Sequence, residues 1–350
     1  MRWVSDKAVD RLRRTTESPD FSTTKYRLVR ELARGGMGSV FLCEDSQLER
    51  EVAIKVLDDT GTVGTSISRR LGEARVIARL EHPGILPVHD LGMLPDGRMF
   101  YVMKLVRGSR LDEYVSQISS LSERLRIVQT VCETVAFAHS HGVIHRDLKP
   151  QNIMVGSFGE VLVIDWGVAK LLHVDENQEL REMLASDKLP AEYSFRISES
   201  SETEDGTVIG TPAYMAPEQA RGEVDRTDLR TDVYALGAIL FFLLTGNPPP
   251  ESSSVEPSEQ IFPATIKPEI PKGIKAVCLK AIAFDPEYRY SSASELSVEI
   301  GRFLGGEQVL AYRESIFESL LRWFGKHRFI VLLVLAYLLM RILFIFYSGR

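Results

Sequence analysis

Cysteine is scarce in this sequence: three in 350 residues, Cys43, Cys132 and Cys278, far apart and without a CxxC pair. That excludes a disulfide framework and a cysteine-rich zinc site, and it suits a reducing compartment. Basic charge is not in excess either. With 42 Lys+Arg against 48 Asp+Glu and a formal net charge of −6, a general basic surface for nucleic acid is excluded, and no nucleic-acid partner is expected. The first twenty residues lack an apolar run and carry Asp6, Asp10 and Glu17 among their basic residues, so they do not read as a secretory signal. What the chain does have is ordinary apolar content, 44%, which excludes global disorder. Its length is roughly two domains' worth.

Long hydrophobic runs are also lacking, with one exception. Phe329 to Tyr347 is 19 residues in which Arg341 alone is charged, long enough for a bilayer. Arg341 lies six residues from the far end of the run, roughly 9 Å at helical rise, so it can snorkel outward. Arg322, Lys326 and Arg328 precede the run and Arg350 follows it, which places the preceding domain on the cytoplasmic side of the membrane, single-pass and tail-anchored. The competing reading is a buried core helix. Just upstream, Ile316, Phe317, Leu320, Leu321 and Phe324 recur at helical spacing beside Trp323. They fit a helix at the membrane interface or one packed back on the soluble domain.

Strand-like runs dominate the first part of the chain: Tyr26 to Leu32, Val40 to Cys43, Val52 to Leu57 and Met99 to Met103, with one helical stretch, Ile67 to Leu80. Past residue 105 the periodicity turns helical. Ser120 followed by Glu123 predicts a capping box for a helix with Leu125, Val128, Val131, Cys132 and Val135 along its apolar stripe. Another helix is predicted from about Thr231 to Leu244. A β-rich lobe followed by an α-rich lobe makes a cleft between them. Two segments read as loops. Leu171 to Gly206 carries ten acidic and three basic residues, and Asn247 to Lys272 carries seven prolines, which forbid a long helix.

The chemistry begins at Ala33-Arg34-Gly35-Gly36-Met37-Gly38, a glycine-rich turn between two strands where backbone N–H groups can approach phosphate oxygens. Lys55 follows on the next strand, where a buried lysine needs an anionic partner, and Glu73 on the next helix can supply one. Far more specific is His145-Arg146-Asp147-Leu148-Lys149-Pro150-Gln151-Asn152, followed by Val163-Ile164-Asp165-Trp166-Gly167. Phosphoryl transfer needs a carboxylate to accept the attacking hydroxyl's proton and oxygen ligands for magnesium. Asp147, Asn152 and Asp165 are residues of those types, in that order.

With these motifs the sequence resembles the eukaryotic-like (Hanks-type) bacterial serine/threonine protein kinases, over about Tyr26 to Leu304. The resemblance implies an α+β, bilobal protein-kinase fold, with a small β-rich N-lobe (26–103) and a larger helical C-lobe (104–304), to which the transmembrane helix (329–347) is joined by a juxtamembrane segment (305–328). Residues 1–25 would be an extension and 171–206 an insert in the activation segment. ATP and Mg2+ are the implied cofactors. By resemblance, Lys55 contacts the α and β phosphates and pairs with Glu73, Asp147 is the catalytic base, Lys149 steadies the transferring group, and Asn152 and Asp165 hold magnesium. Gly35, Gly36 and Gly38 would cover the phosphates. Val40, Ala53 and Met154 would sandwich adenine beside the gatekeeper Met103, with Lys104 and Val106 offering hinge backbone groups. Thr211 would contact the catalytic aspartate and lysine, Asp232 would brace the catalytic loop, and Arg289 would pair with Glu218 of Ala216-Pro217-Glu218.

Three departures stand out. Ala33 replaces the first glycine, with activity expected to be retained; Trp166 replaces the phenylalanine whose packing sets the on/off state; and the proline-rich stretch replaces a helix associated with substrate docking. The expected function is transfer of the ATP γ-phosphate to serine or threonine hydroxyls of protein substrates at the cytoplasmic membrane face, in signalling. The alternatives are a kinase-fold scaffold without transfer and a small-molecule phosphotransferase. Arg146 beside Asp147 suggests control by phosphorylation among Ser198, Ser200, Ser201, Thr203 and Thr207, and association of the spans would allow a homodimer.

Overall fold

The computed structural model describes residues 18–35, 38–57, 78, 80–166, 170–171, 212–223, 226–250, 261–263, 270–326 and 328–348. Five antiparallel strands open the fold: β1 (Tyr26–Gly35), β2 (Gly38–Asp45), β3 (Arg50–Leu57), β4 (Val88–Met93) and β5 (Met99–Lys104), in the spatial order β1-β2-β3-β5-β4. Register sorts their residues onto two faces, because directly opposed residues and residues two apart point the same way. Phe41, Cys43, Val52, Ile54, Val56, Phe100 and Val102 share one face and, with Phe21, Tyr26 and Leu94, form the core of the small lobe. β1 is an edge strand with two register shifts, and its residues beyond Leu28 are exposed. Its charged residues Arg27, Arg30, Glu31 and Arg34 guard that edge against stray pairing.

The large lobe is built on helices: α1 (Leu121–Ser140), α2 (Leu229–Thr245), α3 (Lys272–Ala281) and α4 (Ala293–Leu304). The predicted stripe on α1 is real, with Leu125, Val128, Val131, Cys132 and Val135 all fully buried. Helix α2 is buried from Thr231 through Leu244, which explains why its sequence is apolar on every side. Asp228 caps it, accepting from the Arg230 N–H, and Gly246 ends it in the left-handed region at φ 79°. Small strands β6 (Gly108–Arg110), β7 (Val143–Ile144), β8 (Ile153–Gly156), β9 (Val161–Val163) and β10 (Lys170–Leu171) frame the loops between lobes. β6, β8 and β9 make one sheet and β7 pairs with β10.

The two-lobed α+β architecture is as expected, with several local corrections. The capping box does not form: Ser120 is the N-cap residue of α1, yet its side chain makes no capping bond. The entry to α1 is held by Arg124 instead, whose guanidinium donates to the carbonyls of Ile118 and Leu243. Strand β4 went unpredicted, because His89, Asp90 and Gly92 mask the alternation of an edge strand. Most of the helix expected over Ile67 to Leu80, all but Ala78 and Leu80, and most of the acidic insert lie outside the described residues.

Two more helices follow, α5 (Ile316–Lys326) and α6 (Arg328–Ser348). Among the described residues no helix is long and apolar enough to cross a membrane; within α6 the side chains are described without interruption only over 331–341. The buried-core reading of this segment is overturned, since Phe329, Leu333, Leu339 and Phe344 are all more than half exposed.

Candidate active site

The loop His145–Asn152 connects β7 to β8 and is gripped from below by Asp232 of α2. The Asp232 carboxylate is fully buried and accepts from the backbone N–H of His145 (2.8 Å) and of Arg146 (2.9 Å) and from the His139 ring (2.8 Å). Burial alone would push this carboxyl up; the bond from His139 and the charges around it hold it below the ordinary carboxylate range. The grip enforces an unusual backbone, with Arg146 at φ 69°. Non-glycine residues in that region are uncommon and cluster at functional sites. Asp147 is thereby presented between two donors: Lys149 Nζ lies 2.8 Å and Asn152 Nδ2 3.1 Å from its Oδ2. The same Nδ2 also donates to the Asp147 carbonyl at 2.7 Å.

Asp165 follows β9, joined to this loop by the Ile164 N–H donating to the Asn152 carbonyl at 2.9 Å. It too has a positive φ, 60°. Lys55 reaches down from β3 to within 2.5 Å of its Oδ1. The pair is electrostatically self-consistent. Burial would raise the Asp165 carboxyl, but the Lys55 ammonium, helped by His145 and Lys149, holds it below its usual range. Burial would likewise lower Lys55, and Tyr101 together with Asp165 carries it above its usual value. Both groups are therefore charged at neutral pH. Next in sequence, Trp166 is buried in the large-lobe core. Its ring centroid lies 4.6 Å from that of His145, and its indole N–H donates to the Val163 carbonyl at 3.3 Å. A phenylalanine here could stack but could not make that bond.

Above these groups, the second face of the five-stranded sheet forms the roof. Val40 and Tyr101 both oppose Lys55, and Met103 opposes Ala53, so Val40, Ala53, Lys55, Tyr101 and Met103 share that face. Met154 comes from β8 below, and Met103, Val106 and Met154 are each part-buried, as the wall of an open cleft should be. The Lys104 N–H donates to the Pro87 carbonyl at 3.1 Å, which leaves its carbonyl as the backbone group it can offer a nucleotide. At the mouth, Gly38 has φ 141°, and a Cβ there would meet the Val56 carbonyl oxygen at 2.2 Å. Gly35 pairs with Gly38 across the β1–β2 turn, while Ala33 sits within β1 opposite Val40.

A second ion pair organises the floor. Arg289 donates twice to Glu218, at 2.8 Å each, with both side chains fully buried. Its remaining donors go to the carbonyls of Ala283, Phe284 and Arg230, and Thr231 adds a bond to Glu218 at 3.0 Å.

A family model described as "Protein kinase domain" matches residues 26–299. The chain belongs to the protein kinase family. Among relatives of this kinase, serine/threonine-protein kinase PknD of Chlamydia muridarum is 35% identical over 316 residues, covering 83% of this chain and 33% of the relative. A probable serine/threonine-protein kinase PknB of Lactococcus lactis is 36% identical, covering 83% of this chain and 44% of the relative. The crystal structure of the Mycobacterium tuberculosis PknI kinase domain is similar, with a TM-score of 0.58 and 26% identity over 82% of this chain and 98% of that one. This kinase thus spans less than half the length of these two curated relatives. The expected resemblance to Hanks-type serine/threonine kinases is borne out.

Of the residues singled out in the sequence, the kinase brings together Lys55, Asp147, Lys149, Asn152 and Asp165, under a roof that includes Val40, Ala53 and Met103. Gly36, Glu73, Thr211 and the five candidate phosphorylation positions lie outside the described residues. Sequence reasoning missed His139, which shares Asp232 with the catalytic loop, and Tyr101, which faces Lys55. It also missed Gln219, whose side chain bonds both the Arg146 carbonyl (3.0 Å) and the Ala216 N–H (3.2 Å). Gln219 directly follows Ala216-Pro217-Glu218, and its place beside that motif was the one available signal.

Proposed function

We propose that this chain is an ATP- and magnesium-dependent serine/threonine protein kinase, anchored by α6 with its catalytic domain on the cytoplasmic face of a membrane. One observation carries the catalytic part: Asp147 is held between Lys149 and Asn152 while Lys55 is paired to Asp165. In this arrangement the Asp147 carboxylate accepts the proton of an incoming serine or threonine hydroxyl, and Lys149 balances charge on the group in transit. Lys55, kept protonated, attracts the phosphates. Asn152 uses its amide nitrogen on Asp147, and its amide oxygen with the Asp165 carboxylate would supply two hard oxygen ligands. Such a pair suits magnesium, which completes its shell with water and phosphate oxygens. When bound, the metal neutralises phosphate charge.

A scaffold without transfer has no use for an aspartate so held. Transfer of labelled phosphate to a generic protein substrate, compared with Lys55→Met, tests the reading. The wild type should transfer and the variant should not. Nucleotide binding without lysine-dependent transfer would favour the scaffold.

The anchor reading is supported by the sequence: Phe329 to Tyr347 is a run of 19 residues with Arg341 its one charge, about the length that spans roughly 30 Å of hydrocarbon. Among the described residues of α6, Leu332, Leu333, Leu339, Met340 and Phe344 are more than half exposed, an arrangement disfavoured in water. The basic residues Arg322, Lys326 and Arg328 before it give the orientation. Alkaline extraction of membranes should leave the full chain in the pellet; release to the supernatant would refute the anchor.

A further inference from the structure

The segment joining the kinase domain to α6 is not a loose tether. Glu299 of α4, almost fully buried, accepts from the backbone N–H groups of Leu310 and Ala311 at 2.8 and 3.0 Å, which pins the connector to the large lobe. Helix α5 is then fastened by its polar side. Glu318 accepts from Lys272 of α3 (2.9 Å), from the Tyr312 hydroxyl (3.1 Å) and from the Ser315 N–H (2.9 Å). Arg322, one turn further on, donates to Glu314 (2.9 Å) and to the Gly306 carbonyl (3.2 Å). Between α5 and the lobe lies an open pocket of about 490 Å³, lined by Ile270, Phe303, Val309 and Tyr312 together with Lys272, Glu318 and Arg322.

Glu318 and Arg322 are four residues apart and so share one helix face. The other face carries Ile316, Phe317, Leu320 and Trp323, all exposed, the first two by about four-fifths. The polar side of α5 docks on the domain, and its described apolar side chains turn away from it. The arrangement is that of an interfacial helix, with Trp323 among its apolar residues and Lys326 and Arg328 in sequence where the chain passes from α5 to α6.

We infer that α5 lies in the headgroup region of an anionic bilayer as a rigid bracket, with Ile316, Phe317, Leu320 and Trp323 buried in the lipid, and fixes the foot of the large lobe against the membrane. This rests on the anchor reading of α6. It adds a second, independently testable lipid contact and a fixed orientation for the active site.

The test uses the full chain reconstituted in vesicles of phosphatidylglycerol and phosphatidylcholine brominated either near the headgroup or near the acyl terminus. Subtracting the spectrum of Trp323→Phe isolates Trp323 from Trp3 and Trp166. Trp323 should lose more emission to shallow bromine than to deep bromine, consistent with burial by about 5–10 Å, and Phe317→Glu should diminish that loss. Vesicle-bound chain whose Trp323 emission ignores both bromines overturns the bracket while leaving the anchor standing. So does shielding of Trp323 accompanied by Trp323→Cys crosslinking between copies, since a second chain would then cover the face. A chain that never sediments with vesicles overturns the anchor, and the bracket with it.

Discussion

Asp147 is placed by its neighbours rather than by its own packing, and that makes it the most sensitive residue of the site. Replacing it with asparagine keeps the shape but removes the proton acceptor. Turnover should fall by about 10²–10⁴-fold with little change in nucleotide affinity, as steady-state kinetics and a binding titration would report. Gly38 is sensitive for a steric reason: an alanine would put its Cβ 2.2 Å from the Val56 carbonyl oxygen in a backbone region that side chains avoid. Gly38→Ala should cost about 1–3 kcal/mol, read by urea unfolding, and should weaken nucleotide binding. Ala33 in the same motif lies within β1 opposite Val40, so Ala33→Gly should leave activity near wild type. The sequence made Asp147, Lys55 and Asp165 legible because their spacing is tied to chemistry. It did not reveal His139, Tyr101 or Gln219, whose roles come from contacts across as many as 93 positions and leave no local pattern.

At the level of elements, buried polar pairs join what the hydrophobic core only brings near. Arg289 ties the Pro217–Ala220 turn to the connection between α3 and α4 through Glu218. Arg289→Ala leaves that carboxylate buried without its counter-charge, and should destabilise the large lobe by about 3–5 kcal/mol, measurable by denaturant melting. Acid should reveal the other brace. Asp165 and Asp232 both sit below the usual carboxylate range, so the stability they contribute is complete above their unfolded value near ~4 and is lost as pH falls through the lower folded values. The melting temperature should fall below about pH 4, and Asp232→Asn should be less stable at neutral pH with a shallower fall in acid. A fall equally steep in the variant would contradict this. Helices α1 and α2 were legible because burial writes a 3.6-residue period or an all-apolar stretch into the sequence. The capping box was misread because Ser120 and Glu123 match a local pattern, whereas Arg124, bonding to Leu243 far along the chain, holds the helix entry.

Across the whole molecule, two lobes meet at a cleft whose roof and floor come from separate cores, and Lys55 to Asp165 is a direct bond between them. The division into lobes was legible from the change in periodicity near residue 105. The outward turn of α5 was not, because its apolar stripe reads the same whether it packs on protein or on lipid; the polar residues on its other face decide it. The net charge of −6 likewise said little about its parts, since the acidic stretch 171–206 and the basic flank of α6 partly offset each other within the total. The central claim, that the cleft transfers phosphate to serine or threonine hydroxyls with Asp147 as base, is tested most directly by phosphoamino-acid analysis of protein labelled by the full chain with γ-labelled ATP. The account predicts phosphoserine and phosphothreonine from the wild type and neither from Asp147→Asn. Label on tyrosine alone, or equal labelling by the variant, would contradict it.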